Sequence, residues 1–217
     1  KCYRLVLRGE HNLDWVLKKA TVAGTNLKFI IYVPGYKERM RKLLPEYVID
    51  KFIFMHHPYV FNNIDNISDK NNNDAIAVIG AAVNKNAVDI TKHCVSSATF
   101  NVVQRTKVKI EGENVNILSK GKGTTARDIQ KCIDCSDWML IPYNKYQYRL
   151  TASGIFWDSI ANNKPIIGLG SAYLKDYMGK YQIGIWEEKT NKICERLKNL
   201  DKKIIGIFLK ALTTLYK

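Results

Sequence analysis

Ser153 and Gly154 stand where a polar loop enters the helix-like run IFWDSIANN, and the apolar run WMLIPY precedes that loop. The first backbone N–H groups of a helix have no partner inside it, and that end of the helix carries partial positive charge. A glycine there lets a ligand approach the backbone closely. The pattern therefore predicts a phosphate site at Ser153, Gly154 and Ile155. The alternative is an ordinary N-cap on a packing helix.

Asp158 follows one turn into the same predicted helix. A carboxylate at that place can accept hydrogen bonds from a ribose diol while the helix-start amides hold phosphates. The alternative is an ion pair with a nearby lysine. The sequence contains neither G-x-G-x-x-G nor G-x-x-x-x-G-K-[ST], which disfavours a dinucleotide oxidoreductase and a P-loop NTPase.

Glycines, amides and cationic side chains also follow the other strand-like runs of the second half. Open parallel sheets bind ligands beyond the carboxyl ends of their strands, so we expect these residues to share one edge and one site. A single lysine such as Lys85 or Lys122 is, taken by itself, more typical of a solvated surface charge. The candidate binding residues are Gly80, Asn84, Lys85, Gln104, Arg105, Lys122, Tyr143, Arg149, Thr151, Ser153, Gly154, Ile155 and Asp158.

The elements that would position these residues alternate between strand-like and helix-like patterns along nearly the whole chain. Such alternation, with near-continuous apolar strands, predicts an α/β fold of Rossmann-like parallel sheets flanked by helices. An Asn- and Asp-rich run at 60–74 is typical of a linker. We therefore predict a partial N-terminal Rossmann-like lobe over 1–70, a second Rossmann-like domain over 71–188 and basic amphipathic helices over 189–217.

The charge balance favours anionic partners. Lys and Arg number 34 and Asp and Glu number 20, so the formal net charge is +14. Nucleic acid, an acidic membrane face and phosphorylated small molecules all fit such a field. Because the basic residues are scattered and nucleic-acid-binding signatures are absent from the sequence, no nucleic-acid partner is expected.

Five cysteines, at positions 2, 94, 132, 135 and 194, are widely spaced and odd in number. This usage predicts free thiols in a reducing compartment. Cys132 and Cys135 form a C-x-x-C, but it falls near the end of a predicted helix and lacks a second ligand pair. A redox or zinc function is therefore disfavoured, and no metal site is expected.

The C-terminal tail has an apolar stripe at helical spacing between Ile204 and Leu215. The stripe is typical of a helix that packs on the body of the protein, and the alternative is an interfacial helix at anionic lipid. No segment has the length and apolarity of a membrane span, and no signal peptide is visible. The sequence starts at Lys1 without a methionine, which fits either a trimmed chain or a fragment of a longer one.

The runs IPY…TASGIFWDSIANNKPIIG and AIAVIGAAVNKN resemble the nucleotide-sugar-binding C-terminal domain of GT-B glycosyltransferases of the retaining kind, which carry an E-x7-E element. The resemblance covers roughly residues 74–188, and residues 1–60 look like the last part of the N-terminal lobe. Leu150 stands where the family has its first Glu, and Asp158 replaces the second. The resemblance implies a GT-B-like fold with an incomplete N-terminal lobe.

The same resemblance implies a hexosyltransferase-like enzyme that moves a sugar from a nucleoside diphosphate sugar to a glycan or lipid-linked acceptor in polysaccharide assembly. The candidate catalytic residues are Lys85 and His57. Lys85 would neutralise the diphosphate, and His57 would contact a sugar hydroxyl or polarise a group from the rim between lobes. For His57, packing beside Pro58 is the alternative. Neither metal nor cofactor is implied, and the expected location is cytoplasmic, with peripheral association at the inner membrane face. The alternatives are a sugar-nucleotide epimerase and a non-catalytic module that binds polyanions or anionic lipid.

Overall fold

The computed structural model describes residues 18, 28–31, 36–42, 44–55, 75–94, 98–105, 107–144 and 153–199. The chain separates into two compact units. One unit comprises Lys1–Tyr59 with Tyr146–Ser153, and the other comprises Val60–Lys145 with Gly154–Lys217. The first predicted strand and helix, the linker-like run at 60–74 and the amphipathic stripe of the tail lie outside the described residues. The three-part domain division therefore stays a prediction.

In the first unit, strands β1 (Phe29–Ile31) and β2 (Phe52–Phe54) pair in parallel. Their Phe29 and Phe52 rings lie 5.4 Å apart between centroids. Two short helices, α1 (Tyr36–Arg41) and α2 (Glu46–Ile49), lie between them in the sequence. Pro45 divides the two because it lacks an N–H and disfavours helical backbone in the residue before it.

The second unit is a six-stranded sheet covered by helices on both faces. Its strands are β3 (Ala75–Ile79), β4 (Thr99–Gln104), β5 (Val115–Lys120), β6 (Trp138–Pro142), β7 (Ile166–Leu169) and β8 (Gly184–Glu187). Its helices are α3 (Lys85–His93), α4 (Ala126–Asp134), α5 (Gly154–Ala161), α6 (Ala172–Tyr181) and α7 (Thr190–Lys198), and a 3-10 turn spans Gly80–Ala82.

The strand order is β5-β4-β3-β6-β7-β8, and every neighbouring pair is parallel. This is the doubly wound order, in which the chain works outward from β3 in one direction and then resumes at β6 in the other. The predicted Rossmann-like parallel sheet is thereby confirmed. Ligands of such sheets bind at the switch point, which here lies between the carboxyl ends of β3 and β6.

The central strands are apolar along their whole length because both of their faces are covered. Ile76 and Val78 point to the side of α3 and α7, whereas Ala77 and Ile79 point to the side of α4. All four side chains are buried. This two-sided burial fixes the ends of β3 and β6, and with them the switch point. None of the described helices has the length and apolarity that crossing a membrane requires.

One crossover differs from the others because residues 105–114, between β4 and β5, contain no helix among those described. A turn at residues 111–114 (EGEN) leads into β5. There, Asn114 Nδ2 donates to the Ala98 carbonyl at 3.1 Å. A register irregularity lies between Val102 and Val103 where β4 meets β5. Strand β5 forms one edge of the sheet, and its residues are half-buried or exposed.

The prediction of free thiols is wrong for two of the cysteines. Cys94, at the end of α3, and Cys194, within α7, form a disulfide whose Cα atoms lie 5.6 Å apart. The two helices pack on the same face of the sheet, a contact that 100 residues of sequence separation conceal. Disulfides persist in oxidising environments, so this bond also removes the argument for a reducing compartment.

The C-x-x-C pair lies at the end of α4, as predicted. Burial raises the pKa of the Cys132 thiol to about 12, and its Sγ donates to the Asn101 carbonyl at 3.3 Å. Cys135 is exposed and follows the last helical residue. A thiol that stays protonated at neutral pH is a poor nucleophile. Cys132 therefore has a structural role at the end of α4.

Candidate functional site

Helix α5 begins at Gly154, within one residue of the predicted helix entrance. Gly154 is exposed, and a Cβ built on it would meet no atom within 4 Å. Ser153 before it is buried, and Ile155 after it is half-buried. The backbone of Gly154 is therefore accessible to a ligand, with no side chain to shield it.

The ends of β3 and β4 meet the start of α5 around Gly80. This glycine has φ +56°, a left-handed conformation that side chains disfavour. A Cβ placed on Gly80 would lie 3.9 Å from Ile155 Cδ1 and 4.0 Å from Arg105 Cδ. Three residues that the sequence assigned to one site, from three separate loops, are therefore close neighbours.

Asn84 and Asn86 join the start of α3 to the end of β6. Asn84 caps the helix, since its Oδ1 accepts from the Ala87 N–H at 3.2 Å. Its Nδ2 donates to the Pro142 carbonyl at 3.0 Å, and Asn86 Nδ2 donates to the same carbonyl at 3.1 Å. These bonds fix Lys85, the exposed first residue of α3, close to the switch point. The sequence analysis missed Asn86, for which a second amide in the first helical turn was the available signal.

A glycine loop follows β5 and is tied to the end of β4. The Gly121 N–H donates to the Gln104 carbonyl at 2.8 Å, and Arg105 Nη2 donates to the Thr124 carbonyl at 3.2 Å. Gly121 has φ +84°. Lys122 is exposed in this loop. The loop therefore holds Arg105 and Lys122 on the same edge as Gly80.

Two threonines end the glycine loop and have different roles. Thr124 is buried, and its Oγ1 donates to the Gly121 carbonyl at 3.0 Å. Thr125 caps α4 in a capping box with Asp128. Hydrogen bonds from the Thr125 backbone N–H and hydroxyl hold the pKa of Asp128 below its usual value.

Other predicted site residues are less accessible. Gln104 is buried, and its Nε2 donates to the Val108 carbonyl at 2.5 Å, so its amide orders the 105–109 loop. Tyr143 is fully buried at the end of β6. Asp158 is half-buried one turn into α5, as predicted from its spacing. Their binding roles stay predictions. His57, Arg149 and Thr151 lie outside the described residues.

The N-K-P run between α5 and β7 is a structural turn. The Lys164 N–H donates to the Ser159 carbonyl, and Ser159 Oγ donates to the Lys164 carbonyl. Burial lowers the pKa of Lys164, while Asp137 and Asp134 oppose that shift. Lys164 precedes the amino end of β7, so it lies at the edge of the sheet opposite the candidate site.

The gathered groups can bind a doubly charged phosphate chain. The open turn of α5 offers amides with partial positive charge, and Arg105 adds a full charge beside Gly80. Guanidinium groups match phosphate geometry with paired N–H donors. This combination at a switch point is suited to a pyrophosphate-containing ligand.

No family model and no curated protein matches the sequence. The structure is similar to the crystal structure of TarM, with TM-score 0.60 and 14% identity, over 96% of this chain and 44% of that one. It is also similar to WaaG, a glycosyltransferase involved in lipopolysaccharide biosynthesis, with TM-score 0.55 and 14% identity, over 88% of this chain and 58% of that one.

A third similar structure is AviGT4, a glycosyltransferase involved in Avilamycin A biosynthesis, with TM-score 0.50 and 8% identity, over 90% of this chain and 68% of that one. The chain therefore has the fold of GT-B glycosyltransferases, as the sequence resemblance implied. It spans about half the length of TarM and WaaG.

Proposed function

We propose that this chain is a glycosyltransferase, or the donor-binding part of one, which uses a nucleoside diphosphate sugar. The observation that carries the proposal is the open first turn of α5, beside Gly80 and Arg105, at the switch point of the sheet. A fold shared with glycosyltransferases supports this choice over other nucleotide-binding functions.

The proposed mechanism is stabilisation of the leaving group. As the bond between sugar and diphosphate breaks, negative charge grows on the diphosphate oxygens. Amides of the α5 turn, Arg105 and Lys85 would stabilise that charge in fixed positions, which lowers the barrier more than mobile water does. Asp158 would accept hydrogen bonds from the ribose hydroxyls. Because the protein supplies this positive charge, the proposed transfer is metal-independent.

For the acceptor we propose a glycan of surface-polysaccharide assembly. WaaG, one of the similar structures, is described as a glycosyltransferase involved in lipopolysaccharide biosynthesis. Peripheral association with an anionic membrane surface would bring the enzyme to a lipid-linked form of such an acceptor, and the net charge of +14 supports it.

The direct test is a thermal-shift series with UDP, GDP, ADP and CDP, each with and without EDTA. A ligand that binds only the folded chain stabilises it by about 2.7 kcal/mol at 100 times its Kd. We expect one nucleotide to raise the Tm by about 5–10 °C, equally with EDTA present. Absence of a shift with every nucleotide would contradict the proposed function, and a shift lost with EDTA would contradict metal independence.

A further inference from the structure

The edge of the sheet beyond β4 and β5 is mainly cationic. Residues 104–128 contain six cationic residues and three acidic ones, Glu111, Glu113 and Asp128, which gives a formal charge of 6 − 3 = +3. All six are exposed, and we call them the cationic rim. The rim consists of Arg105, Lys107, Lys109, Lys120, Lys122 and Arg127.

Contacts between the two segments make the rim one continuous surface. Gln104 pairs with Lys120 in the register of β4 and β5, and its side chain holds the Val108 carbonyl. Arg105 Nη2 reaches the Thr124 carbonyl just before α4. Because Arg105 also lies beside Gly80, the rim starts at the candidate donor site and extends away from it toward the edge strand.

Glu111, Glu113 and Asp128 offset part of the rim charge, but no rim residue forms an ion pair with a described residue. The ion pairs among the described residues involve Arg41, Lys192 and Arg196, none of which belongs to the rim. Gly121 and Gly123 leave the loop around Lys122 open, since a Cβ on either would meet nothing within 4 Å. Six like charges held this close repel one another, so the surface is complementary to a ligand with several negative charges.

We propose that the cationic rim binds the acceptor, a glycan chain with repeated anionic groups such as carboxylates or phosphates. This inference rests on the proposed function and names the substrate class of the same site. Continuity with the donor site favours an acceptor over an unrelated partner, because a bound chain would be led toward Arg105 and the start of α5.

The composition of the rim disfavours the other polyanions. Single-stranded nucleic acid is held by exposed aromatic rings as well as charge, and the exposed aromatic among the described residues, Tyr47, lies in the other unit. Membrane-surface helices and loops add an apolar face to their cations. The exposed large apolar side chains beside the rim are Val108 at 36% and Ile117 on β5 at 42%, which are fewer than its six cations.

The test compares two triple variants with equal loss of charge. Lys107→Gln, Lys109→Gln and Lys120→Gln alter the rim but keep Arg105 and Lys122. Lys92→Gln, Lys189→Gln and Lys198→Gln are the control, since these lysines are also exposed. Binding of fluorescent polygalacturonate is measured over a range of salt concentrations, with neutral dextran, oligothymidine and mixed phosphatidylcholine–phosphatidylglycerol vesicles in parallel.

We expect polygalacturonate to bind and dextran not to bind. For nucleic acids, each ionic contact adds about 0.7–0.9 to the steepness with which the logarithm of the binding constant falls with the logarithm of the salt concentration, which we call the salt slope. By the same counterion release, the rim variant should lower the slope by about 2 and the affinity at low salt at least ~10-fold. The control variant should retain both.

Equal losses in the two variants would overturn the proposal, as would no glycan binding or stronger binding of vesicles or oligothymidine. Melting of each variant near the wild-type Tm shows that folding is intact. The nucleotide thermal shift is measured on the same samples. A rim that binds glycan in a chain without any nucleotide shift would refute the donor site and not the rim.

Discussion

Replacement of Gly154 by valine should weaken nucleotide binding without unfolding the chain, so the two effects can be measured separately. The position is exposed in the first turn of α5, and a Cβ there meets no atom within 4 Å, so the folded chain accepts the new side chain. Valine has a higher helix propensity than glycine, and the expected change in stability is within about 0.5 kcal/mol. The added branches instead occupy the space in which a diphosphate would contact the backbone amides.

The expected loss of affinity follows from the contacts removed. A hydrogen bond to a charged group contributes about 1.5–3 kcal/mol, so loss of one weakens binding roughly 10- to 150-fold. At a nucleotide concentration of 100 times the wild-type Kd, a 100-fold weaker variant keeps about 0.4 of the original 2.7 kcal/mol. The thermal shift should then fall from about 5–10 °C to about 1–2 °C.

Gly179→Val is the matched control for this substitution. Gly179 is an exposed glycine inside α6, and a Cβ there also meets no atom within 4 Å. The control should keep the full nucleotide shift, and both variants should melt near the wild-type Tm without ligand. Retention of the full shift in Gly154→Val, or equal loss in the two variants, would refute the placement of the phosphates at α5.

Three further predictions concern stability and thiol chemistry. Reduction of the Cys94–Cys194 disulfide, which spans 100 residues, should lower the free energy of unfolding by about 2–5 kcal/mol, measured by urea titration with and without dithiothreitol; identical titrations would contradict the bond. In a Cys2→Ser background, Ellman's reagent should modify exposed Cys135 rapidly and buried Cys132 only on unfolding, because burial raises the pKa of the latter to about 12; equal rates would contradict this burial. The lowered pKa of Asp128 stabilises the chain above the ordinary carboxyl pKa, and this stabilisation is lost as pH falls through the lowered value. The Tm difference between wild type and Asp128→Asn should therefore shrink on acidification below about pH 4, and a difference independent of pH would exclude this role.

The secondary structure could be predicted because local patterns determine it here. The apolar runs that became β3 and β6 had the length and composition of buried strands, and both are buried along their whole length. The start of α5 was placed within one residue, because a serine between a polar loop and an apolar helical run marks a helix entrance. The shared edge for Gly80, Arg105 and Ile155 followed from the geometry of parallel strands.

Features that depend on tertiary contacts could not be predicted in this way. The pairing of Cys94 with Cys194 requires α3 and α7 to lie on one face, and nothing in the spacing of the cysteines indicates that. The hydrogen bond from the Gln104 amide to the Val108 carbonyl likewise could not be predicted from the place of Gln104 at a strand end. A residue's position at the edge of the sheet can be derived from the sequence pattern, but the direction of its side chain depends on tertiary contacts that the pattern does not contain.

The switch point joins segments that are far apart in the sequence, and this affects the order in which the protein acquires its site during folding. Asn84 reaches the Pro142 carbonyl across 58 residues, and Asn86 reaches the same carbonyl across 56. Closing such long loops is slow and costs entropy before any contact compensates it. We therefore expect the candidate site at the switch point, which we call the crevice, to form late, after β3 and β4 have paired. A nucleotide that needs the completed crevice would slow unfolding of the finished molecule while leaving the early folding rate unchanged.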